Sequence, residues 1–268
     1  MRIVHSNESP ASNEDVAVTP TSRRRQGIYL LPNLFTTGAL FAGFYGIVAA
    51  IGDRFEVAAI AVLVAMVLDG MDGRIARLTN TQSDFGAQYD SLSDMACFGL
   101  APALIVYEWV LSDLGKLGWL AAFMFTAAAA LRLARFNTQV SNADKRFFQG
   151  LPSPAAAAII AALIWVGHTY EMRDSTGLLV FTLLATVGGA LLMVSTVRYY
   201  SFKDLNLRGR VPFVSILAVV MMFVLISLEP ATVLLVLFAG YAISGIVETW
   251  WSRRRRRAAR EDSRQSAG

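Results

Sequence analysis

Residues 56–94 decide the fold of this chain, and they read EVAAIAVLVAMVLDGMDGRIARLTNTQSDFGAQYDSLSD. An apolar run of helical length ends at Asp69, and acidic residues then recur at short intervals. A membrane helix needs about 20 mostly apolar residues. Eight such windows follow one another along the chain, at 34–51, 56–77, 86–110, 117–136, 152–170, 177–195, 212–228 and 231–250. The sequence therefore predicts an all-α, polytopic integral membrane protein with about eight transmembrane helices.

The composition supports this membrane assignment. Of the 268 residues, 55% are hydrophobic and only 16% are charged, and the mean hydropathy is +0.48. Soluble domains carry about 25% charged residues. We expect a membrane domain at 26–250, between a disordered N-terminal tail at 1–25 and a basic C-terminal tail at 251–268. Because the first apolar run begins only near Ile28, a cleavable signal peptide is not expected.

The positions of Lys and Arg predict the orientation in the membrane. Cytoplasmic loops collect these residues. With eight helices, 21 of the 24 basic residues fall on one side, and Arg54, Lys116 and Arg173 fall on the other. Both termini are therefore predicted to be cytoplasmic, and a bacterial inner membrane is the expected location. Attraction to anionic lipids explains the run Arg253–Arg257, so no nucleic-acid partner is expected.

The acidic residues of this segment fall on two helical stripes. The first stripe consists of Asp69, Asp72, Gly73, Ala76 and Arg77, and the second consists of Gly86, Asp90 and Asp94. Residues three, four, seven and eight positions apart lie on one face of a helix. Because the link between the two helices is short, the stripes can face each other and gather four carboxylates around one cavity.

Four neighbouring carboxylates repel one another unless cations neutralise them. Oxygen ligands without His or Cys suit Mg²⁺, Mn²⁺ or Ca²⁺, and four acids are enough for two ions that share ligands. Gly73 and Gly86 leave room on the acidic stripes for a bulky ligand, and the planar guanidinium of Arg77 suits a phosphate. The pattern predicts a divalent-metal centre that binds phosphate groups.

Two other interpretations of the acids stay open on the sequence. In the first, the acids pair with Arg74, Arg77 and more distant arginines in a structural ion network, which would not explain the two glycines. In the second, the acids form the ion site of a cation-coupled transporter. The acids of such a pathway would be expected along the depth of the bilayer, whereas here they gather at one end.

Written as a pattern, the segment is D-x₂-D-G-x₂-A-R-x₈-G-x₃-D-x₃-D. It resembles the signature of the CDP-alcohol phosphatidyltransferases, with every fixed position filled. Upstream, the run Leu31–Thr37 is similar to the P-N-x-x-T start of the first helix in that family. The resemblance implies a six-helix catalytic core, a homodimer, and transfer of a phosphatidyl group from a CDP-linked lipid to an alcohol with release of CMP.

The resemblance also implies roles for the matched residues. Asp69, Asp72 and Asp90 resemble the ligands of a two-metal centre, and Asp94 resembles a further ligand that also serves as general base. The implied contacts to the CDP-lipid are Asn33, Thr37, Gly73, Ala76, Arg77 and Gly86, with Thr36 as a further candidate. On the sequence alone, Asn33 could equally be a helix cap.

Three further stretches resemble the branch of the family that transfers from CDP-diacylglycerol to L-serine. They are Tyr89–Asp94 with Phe98–Pro102, then Leu131–Asn137, and then Phe148–Ala155. A serine carboxylate needs a fixed cation, which Arg132 or Arg135 could supply, and Asn137 and Gln149 could add hydrogen bonds. The two arginines could equally be membrane anchors. Inositol phosphate or glycerol phosphate as the acceptor would also require cations there.

Alanine, glycine and cysteine residues near the acids predict close packing of the helices. The spacings Ala39-x₃-Gly43 and Ala42-x₃-Gly46 allow helices to approach each other closely. Cys97 lies one turn beyond Asp94. An apolar membrane setting hinders formation of a thiolate, so Cys97 is expected to serve packing and not chemistry.

Overall fold

The computed structural model describes residues 20–139, 147–200 and 213–265. The elements follow in the order α1 (Pro20–Ile51), α2 (Phe55–Thr79), α3 (Asp84–Asp94), a π-helical turn (Met95–Leu100), α4 (Ala101–Trp109), a 3₁₀ turn (Leu111–Leu114), α5 (Lys116–Gln139), β1 (Phe147–Gln149), α6 (Ser153–Thr169), α7 (Thr176–Val194), β2 (Arg198–Tyr200), α8 (Phe213–Leu228) and α9 (Pro230–Gln265).

Each predicted window coincides with a helical stretch of the described chain, which confirms the predicted helical architecture. The third window, 86–110, differs in detail because it comprises α3, the π-helical turn and α4 rather than one regular helix. The structure adds one feature to the all-α prediction. β1 and β2 form a short antiparallel pair in which Phe148 lies opposite Tyr199.

In the part of the chain that the structure describes, four helical segments are long and apolar enough to cross a membrane, judged by length and composition. They are Leu31–Ile51, Lys116–Thr138, Thr176–Val194 and Pro230–Trp251. Two further apolar helices, Ser153–Thr169 and Val219–Leu228, are shorter. The second and third predicted windows are interrupted by the aspartates of α2 and α3, and charged groups are costly in a bilayer. The arrangement is that of a polytopic membrane protein.

Both polar ends contain helix in the described residues. α1 already begins at Pro20, so residues 20–25 are helical, and α9 continues to Gln265 through most of the tail 251–268. Proline suits the first turn of a helix because its missing N–H would have no partner there. At the other end, α9 continues without interruption from an apolar segment into the Arg-rich one. Residues 1–19 and 266–268 lie outside the described residues.

Helix α6 lies at the centre of the bundle, where it packs against α2, α4, α7 and α9. Its alanines at positions 155–158 are buried. Small side chains allow neighbouring helices to approach closely. Of the large buried side chains, Trp109 of α4 lies against Gly167 of α6, and Phe125 of α5 lies against Gly189 of α7. The core therefore fixes α2, which carries Asp69 and Asp72, and α4, which follows α3 and the π-helical turn.

The predicted small-residue spacings of α1 serve contacts within the chain. A Cβ atom on Gly46 would lie 3.2 Å from the carbonyl oxygen of Ala58 in α2. A Cβ atom on Gly43 would lie 2.9 Å from Cys97 Sγ and 3.1 Å from Cys97 Cα in the π-helical turn. Cys97 is fully buried, and its thiol donates a hydrogen bond of 3.2 Å to the carbonyl of Ala39. Cys97 therefore packs, as predicted.

The substitution Gly43→Ala is expected to lower the stability of the protein by about 1–3 kcal/mol, because the new methyl group would overpack the contact with Cys97. Gly38→Ala on the same helix is the control, since its Cβ would meet Leu68 Cδ1 at an ordinary 3.5 Å. Thermal unfolding in detergent measures both variants. Equal midpoints for the two would contradict a tight contact between α1 and the π-helical turn.

Candidate active site

A short link brings the two acidic helices together. α2 ends at Thr79, and its C-cap Asn80 adopts a left-handed conformation (φ 52°) and donates its N–H to the carbonyl of Ala76. Asparagine tolerates this conformation better than most residues. The Ser83 hydroxyl then caps α3 by accepting a hydrogen bond of 3.0 Å from Gly86 N. Four residues, 80–83, are therefore enough to connect the two helices that carry the acidic stripes.

Three of the four predicted aspartates converge. One carboxylate oxygen each of Asp69, Asp72 and Asp90 lies within 4.8 Å of the other two. Asp72 is buried, and Asp69 and Asp90 are half-buried. Asp94 lies just beyond this group, where its carboxyl group is within hydrogen-bonding reach of that of Asp69. The two stripes face each other as the sequence predicts.

The donor set fits a divalent cation. In the described part of the chain, Asp90 Oδ1 and Asp94 Oδ1 are buried and have no hydrogen-bond partner. A buried carboxylate oxygen without a partner is costly, and oxygen donors of this kind suit Mg²⁺, Mn²⁺ or Ca²⁺. The acid triad of Asp69, Asp72 and Asp90 can therefore bind a metal ion.

Helix α1 provides a third wall of the site and orients the acids, because it packs against both α2 and α3. The buried hydroxyl of Thr36 donates a hydrogen bond of 2.7 Å to Asp72 Oδ2. Ser93 Oγ on α3 donates one of 3.2 Å to the carbonyl of Thr36. Sequence reasoning missed this role of Thr36, which it named only as a further candidate for contact with the CDP-lipid.

The predicted CDP-lipid contacts line the region beside the acids. A Cβ atom on Gly73 would meet no heavy atom within 4 Å, and Ala76 and Arg77 follow on the same helix, with Arg77 exposed. Gly86 instead makes room for its neighbours, since its Cβ would lie 3.1 Å from Ser83 Oγ and 3.4 Å from Asn33 Oδ1. The sequence predicted open space for a ligand at both Gly73 and Gly86, and of these two only Gly73 provides it.

The two predicted contacts on α1 also lie near α3. Thr37 Oγ1 donates to the carbonyl of Asn33 at 2.7 Å and lies 2.9 Å from the hydroxyl of Tyr89. Asn33 is inside α1, which begins at Pro20, so the alternative that Asn33 caps the helix is wrong. Tyr89 was not predicted as a site residue, although its position directly before Asp90 is a signal that could have indicated it.

The four predicted acceptor residues separate into one inside the site and three outside it. Arg132 interacts electrostatically with Asp94 and donates a hydrogen bond of 2.9 Å to Ser153 Oγ. Arg135 donates to the carbonyl of Val194, the last residue of α7, and Asn137 Nδ2 donates to Ser91 Oγ. Gln149 is exposed in β1. Within the described residues, Arg132 is therefore the member of this set whose charge acts on the acids.

The structure does not support an ion network around Arg74 and Arg77. Both arginines are exposed, and neither forms an ion pair with the four aspartates in the described part of the chain. Among the described arginines, Arg132 on α5 is the one whose charge acts on Asp94. Asp69, Asp72 and Asp90 cluster at one place, which also disfavours a cation-transport pathway along the depth of the bilayer.

Comparisons with known proteins agree with this site. A sequence model of the family described as CDP-alcohol phosphatidyltransferase matches residues 29–197, which include all four aspartates. A CDP-diacylglycerol–serine O-phosphatidyltransferase of Helicobacter pylori is 36% identical over 221 residues, covering 82% of this chain and 91% of that protein. Proteins of the same name in Methanocaldococcus jannaschii (32% identical, 76% of this chain and 87% of that protein) and Bacillus subtilis (30%, 65% and 91%) are also similar.

Proposed function

The chain belongs to the CDP-alcohol phosphatidyltransferase family, and from that membership we propose that it transfers the phosphatidyl group of CDP-diacylglycerol to L-serine. The products would be phosphatidylserine and CMP. The observation that carries the proposal is the convergence of Asp69, Asp72 and Asp90 beside the buried, unpartnered oxygen of Asp94. The names of the three relatives above support serine as the acceptor.

Asp69, Asp72 and Asp90 would hold two divalent cations, Mg²⁺ or Mn²⁺, with Asp94 at the edge of the centre. When bound, the cations neutralise the diphosphate of the donor and stabilise the leaving CMP. Thr36 keeps the carboxylate of Asp72 turned towards the other acids through the hydrogen bond of 2.7 Å. Such partners behind the ligands fix their orientation.

In the proposed reaction the serine hydroxyl attacks the phosphorus that bears diacylglycerol. Asp94 accepts the hydroxyl proton, a new P–O bond forms to serine, and the P–O bond to CMP breaks. A primary hydroxyl is a weak nucleophile and needs such a base. The displacement is direct, without a covalent lipid–enzyme intermediate.

On the donor side, the open space beside Gly73 accommodates the diphosphate, and Ala76 and Arg77 extend that surface along α2. On the acceptor side, Arg132 would bind the carboxylate of serine, because its positive charge acts on Asp94, the proposed base. A guanidinium matches a carboxylate with two parallel hydrogen bonds. Arg135 instead secures the end of α7 through the carbonyl of Val194.

We further propose that the active site and both termini face the cytoplasm, since the basic residues concentrate on that side. The domain 26–250 would act as a homodimer. Serine would enter from the cytoplasm, and CDP-diacylglycerol would enter from the bilayer.

The test is CMP release by the full-length protein in detergent, with CDP-diacylglycerol and Mn²⁺ present. Release that depends on serine and stops with EDTA supports the proposal. Release with glycerol phosphate or inositol phosphate but not with serine would assign another acceptor within the family. Isotope exchange between CMP and CDP-diacylglycerol without any acceptor would contradict direct displacement.

Thr36→Val is expected to weaken Mn²⁺ binding about 10–100-fold, because Asp72 loses the donor that orients its carboxylate. Valine keeps the shape of threonine, so the fold is retained. Calorimetric titration of the purified protein with Mn²⁺ measures the affinity. Thr126→Val is the control, since the hydroxyl of Thr126 bonds only to backbone carbonyls of Ala122 and Gly99. Equal affinities for the two variants would remove Thr36 from the site.

A further inference from the structure

We infer that Ser153, the first residue of α6, positions Arg132 so that the Nε edge of its guanidinium receives the carboxylate of serine. The inference rests on the proposed function and extends it from the arginine to the residue that orients it. Ser153 would act on serine only through Arg132, as a positioning residue. The alternative is that the Ser153 hydroxyl serves only to join α5 to α6 in the core of the bundle.

The guanidinium of Arg132 has one nitrogen bonded to the protein and another that is buried without a partner. Nη1 donates a hydrogen bond of 2.9 Å to Ser153 Oγ. Nε has no hydrogen-bond partner in the described part of the chain, and the same holds for Oδ1 of Asp94, the proposed base. Buried polar atoms of this kind call for a partner. A buried donor and a buried acceptor are thus both left for the acceptor substrate.

The choice of Nη1 by Ser153 determines which edge of the guanidinium is left for a ligand. The group is planar and holds its five N–H donors in a fixed fork. Nε–H and one N–H of Nη2 point in parallel along one edge, on the side away from Nη1. Two parallel donors match the two oxygens of a carboxylate. With Nη1 bonded to Ser153, this edge of Arg132 can therefore bind the carboxylate of serine.

The position of Ser153 is fixed by the segment that precedes α6. Ser153 is fully buried. Leu151 N donates a hydrogen bond of 3.0 Å to the carbonyl of Leu192, near the end of α7. Gly150 adopts a φ of 81°, and a Cβ atom there would overlap the carbonyl of Met193, so only glycine allows this approach. The hydroxyl that receives Arg132 therefore belongs to a tightly packed junction between α6 and α7.

Helix α5 is attached to the same junction at a second point. Arg135 lies almost one turn beyond Arg132 on α5, and its Nη1 donates a hydrogen bond of 3.0 Å to the carbonyl of Val194, the last residue of α7. Two attachments one turn apart fix the position of this part of α5, and the Ser153 bond then fixes the guanidinium. Because the guanidinium is already ordered, binding of serine does not have to immobilise it.

The variant that tests this role is Ser153→Ala, which removes the hydroxyl and leaves the guanidinium free to turn. We expect KM for serine to rise about tenfold, the size of a lost hydrogen bond to a charged group. KM for CDP-diacylglycerol and kcat are expected to stay within about twofold of the wild-type values, since only binding of the acceptor is weakened. CMP release by the full-length protein in detergent, at several concentrations of each substrate, gives these constants.

Ser195→Ala is the matched control, because the hydroxyl of Ser195 supports the same junction without bonding to Arg132. It donates to the carbonyl of Leu192 at 2.8 Å and accepts from Val197 N at 3.3 Å. If Ser153→Ala acted by loosening the junction, Ser195→Ala would raise KM for serine as well. We expect KM for serine in this control to stay within about twofold of wild type.

A double variant shows whether Ser153 acts through Arg132. Arg132→Lys alone is expected to raise KM for serine, because an ammonium group has no planar edge. Adding Ser153→Ala should then raise it no further, since residues that act through one another are not additive.

The inference is overturned if the two changes multiply or if Ser153→Ala leaves KM for serine unchanged. It is also overturned if Ser153→Ala raises both KM values alike or matches Ser195→Ala, because Ser153 is then structural. Wild-type protein that releases no CMP with serine would instead refute the proposed function, and the inference with it.

Discussion

Asp94→Asn is expected to reduce serine-dependent CMP release by a factor of about 10³, since a positioned general base contributes about 10²–10⁴ to the rate. The side chain of Asn has nearly the same shape as that of Asp, but it cannot accept the proton of the serine hydroxyl. Asp94 lies at the edge of the acid triad, and one of its oxygens is buried without a partner. Binding of Mn²⁺ and of CDP is expected to stay close to wild type.

Asp84→Asn is the matched control for this experiment. Asp84 lies on the same helix, α3, but its side chain is exposed, so the variant should keep wild-type turnover. Rates of CMP release and calorimetric binding of Mn²⁺ and CDP are measured for both variants. If Asp94→Asn loses binding as strongly as turnover, Asp94 is mainly a ligand and not the base.

Gly73→Leu is expected to lower kcat/KM for CDP-diacylglycerol about 100-fold, an effect typical of displacing a substrate by about 1 Å. A Cβ atom at position 73 would meet no heavy atom within 4 Å, so a larger side chain there would extend into the space assigned to the donor. Leucine also forms helices more readily than glycine. The thermal midpoint of the variant should therefore be at least that of the wild type.

Gly70→Leu provides the comparison, because a Cβ atom at position 70 would also meet no heavy atom within 4 Å. Gly70 is on the same helix as Gly73 but not on the acidic stripe. We expect this variant to bind and turn over CDP-diacylglycerol normally. Steady-state kinetics at several donor concentrations, together with thermal unfolding in detergent, distinguish the two variants. Similar activity in both would show that the space beside Gly73 does not receive the donor.

Much of the fold could be predicted from the sequence because the signals are local. The eight apolar windows all coincide with helical stretches in the described residues. The break of the third window into α3, a π-helical turn and α4 could not be predicted. That turn packs Cys97 against Gly43 of α1 and Gly99 against Ala129 of α5, and such contacts join residues far apart in the sequence. π-helical turns of this kind often occur at functional sites.

For the candidate acceptor residues, the sequence could not predict which of two arginines belongs to the site. Arg132 and Arg135 are one turn apart on α5, and the sequence offered no reason to prefer either. In the structure, Arg132 donates a hydrogen bond to Ser153 and interacts electrostatically with Asp94. Arg135 instead donates to the carbonyl of Val194 at the end of α7. Basic groups near a helix C-terminus bind its free carbonyls, so the second arginine has a structural partner.

By itself, the sequence determined that the chain is a membrane protein of many helices and that its acidic stripes resemble one family's signature. These properties depend on hydropathy and on spacing along one helix, both of which are contained in short segments. Only the tertiary structure decided that Thr36 orients Asp72 and that Tyr199 of β2 bonds to α9 at the carbonyl of Ala242. The physical reason is that such contacts join different elements of the fold, so they depend on how the buried faces of those elements pack together.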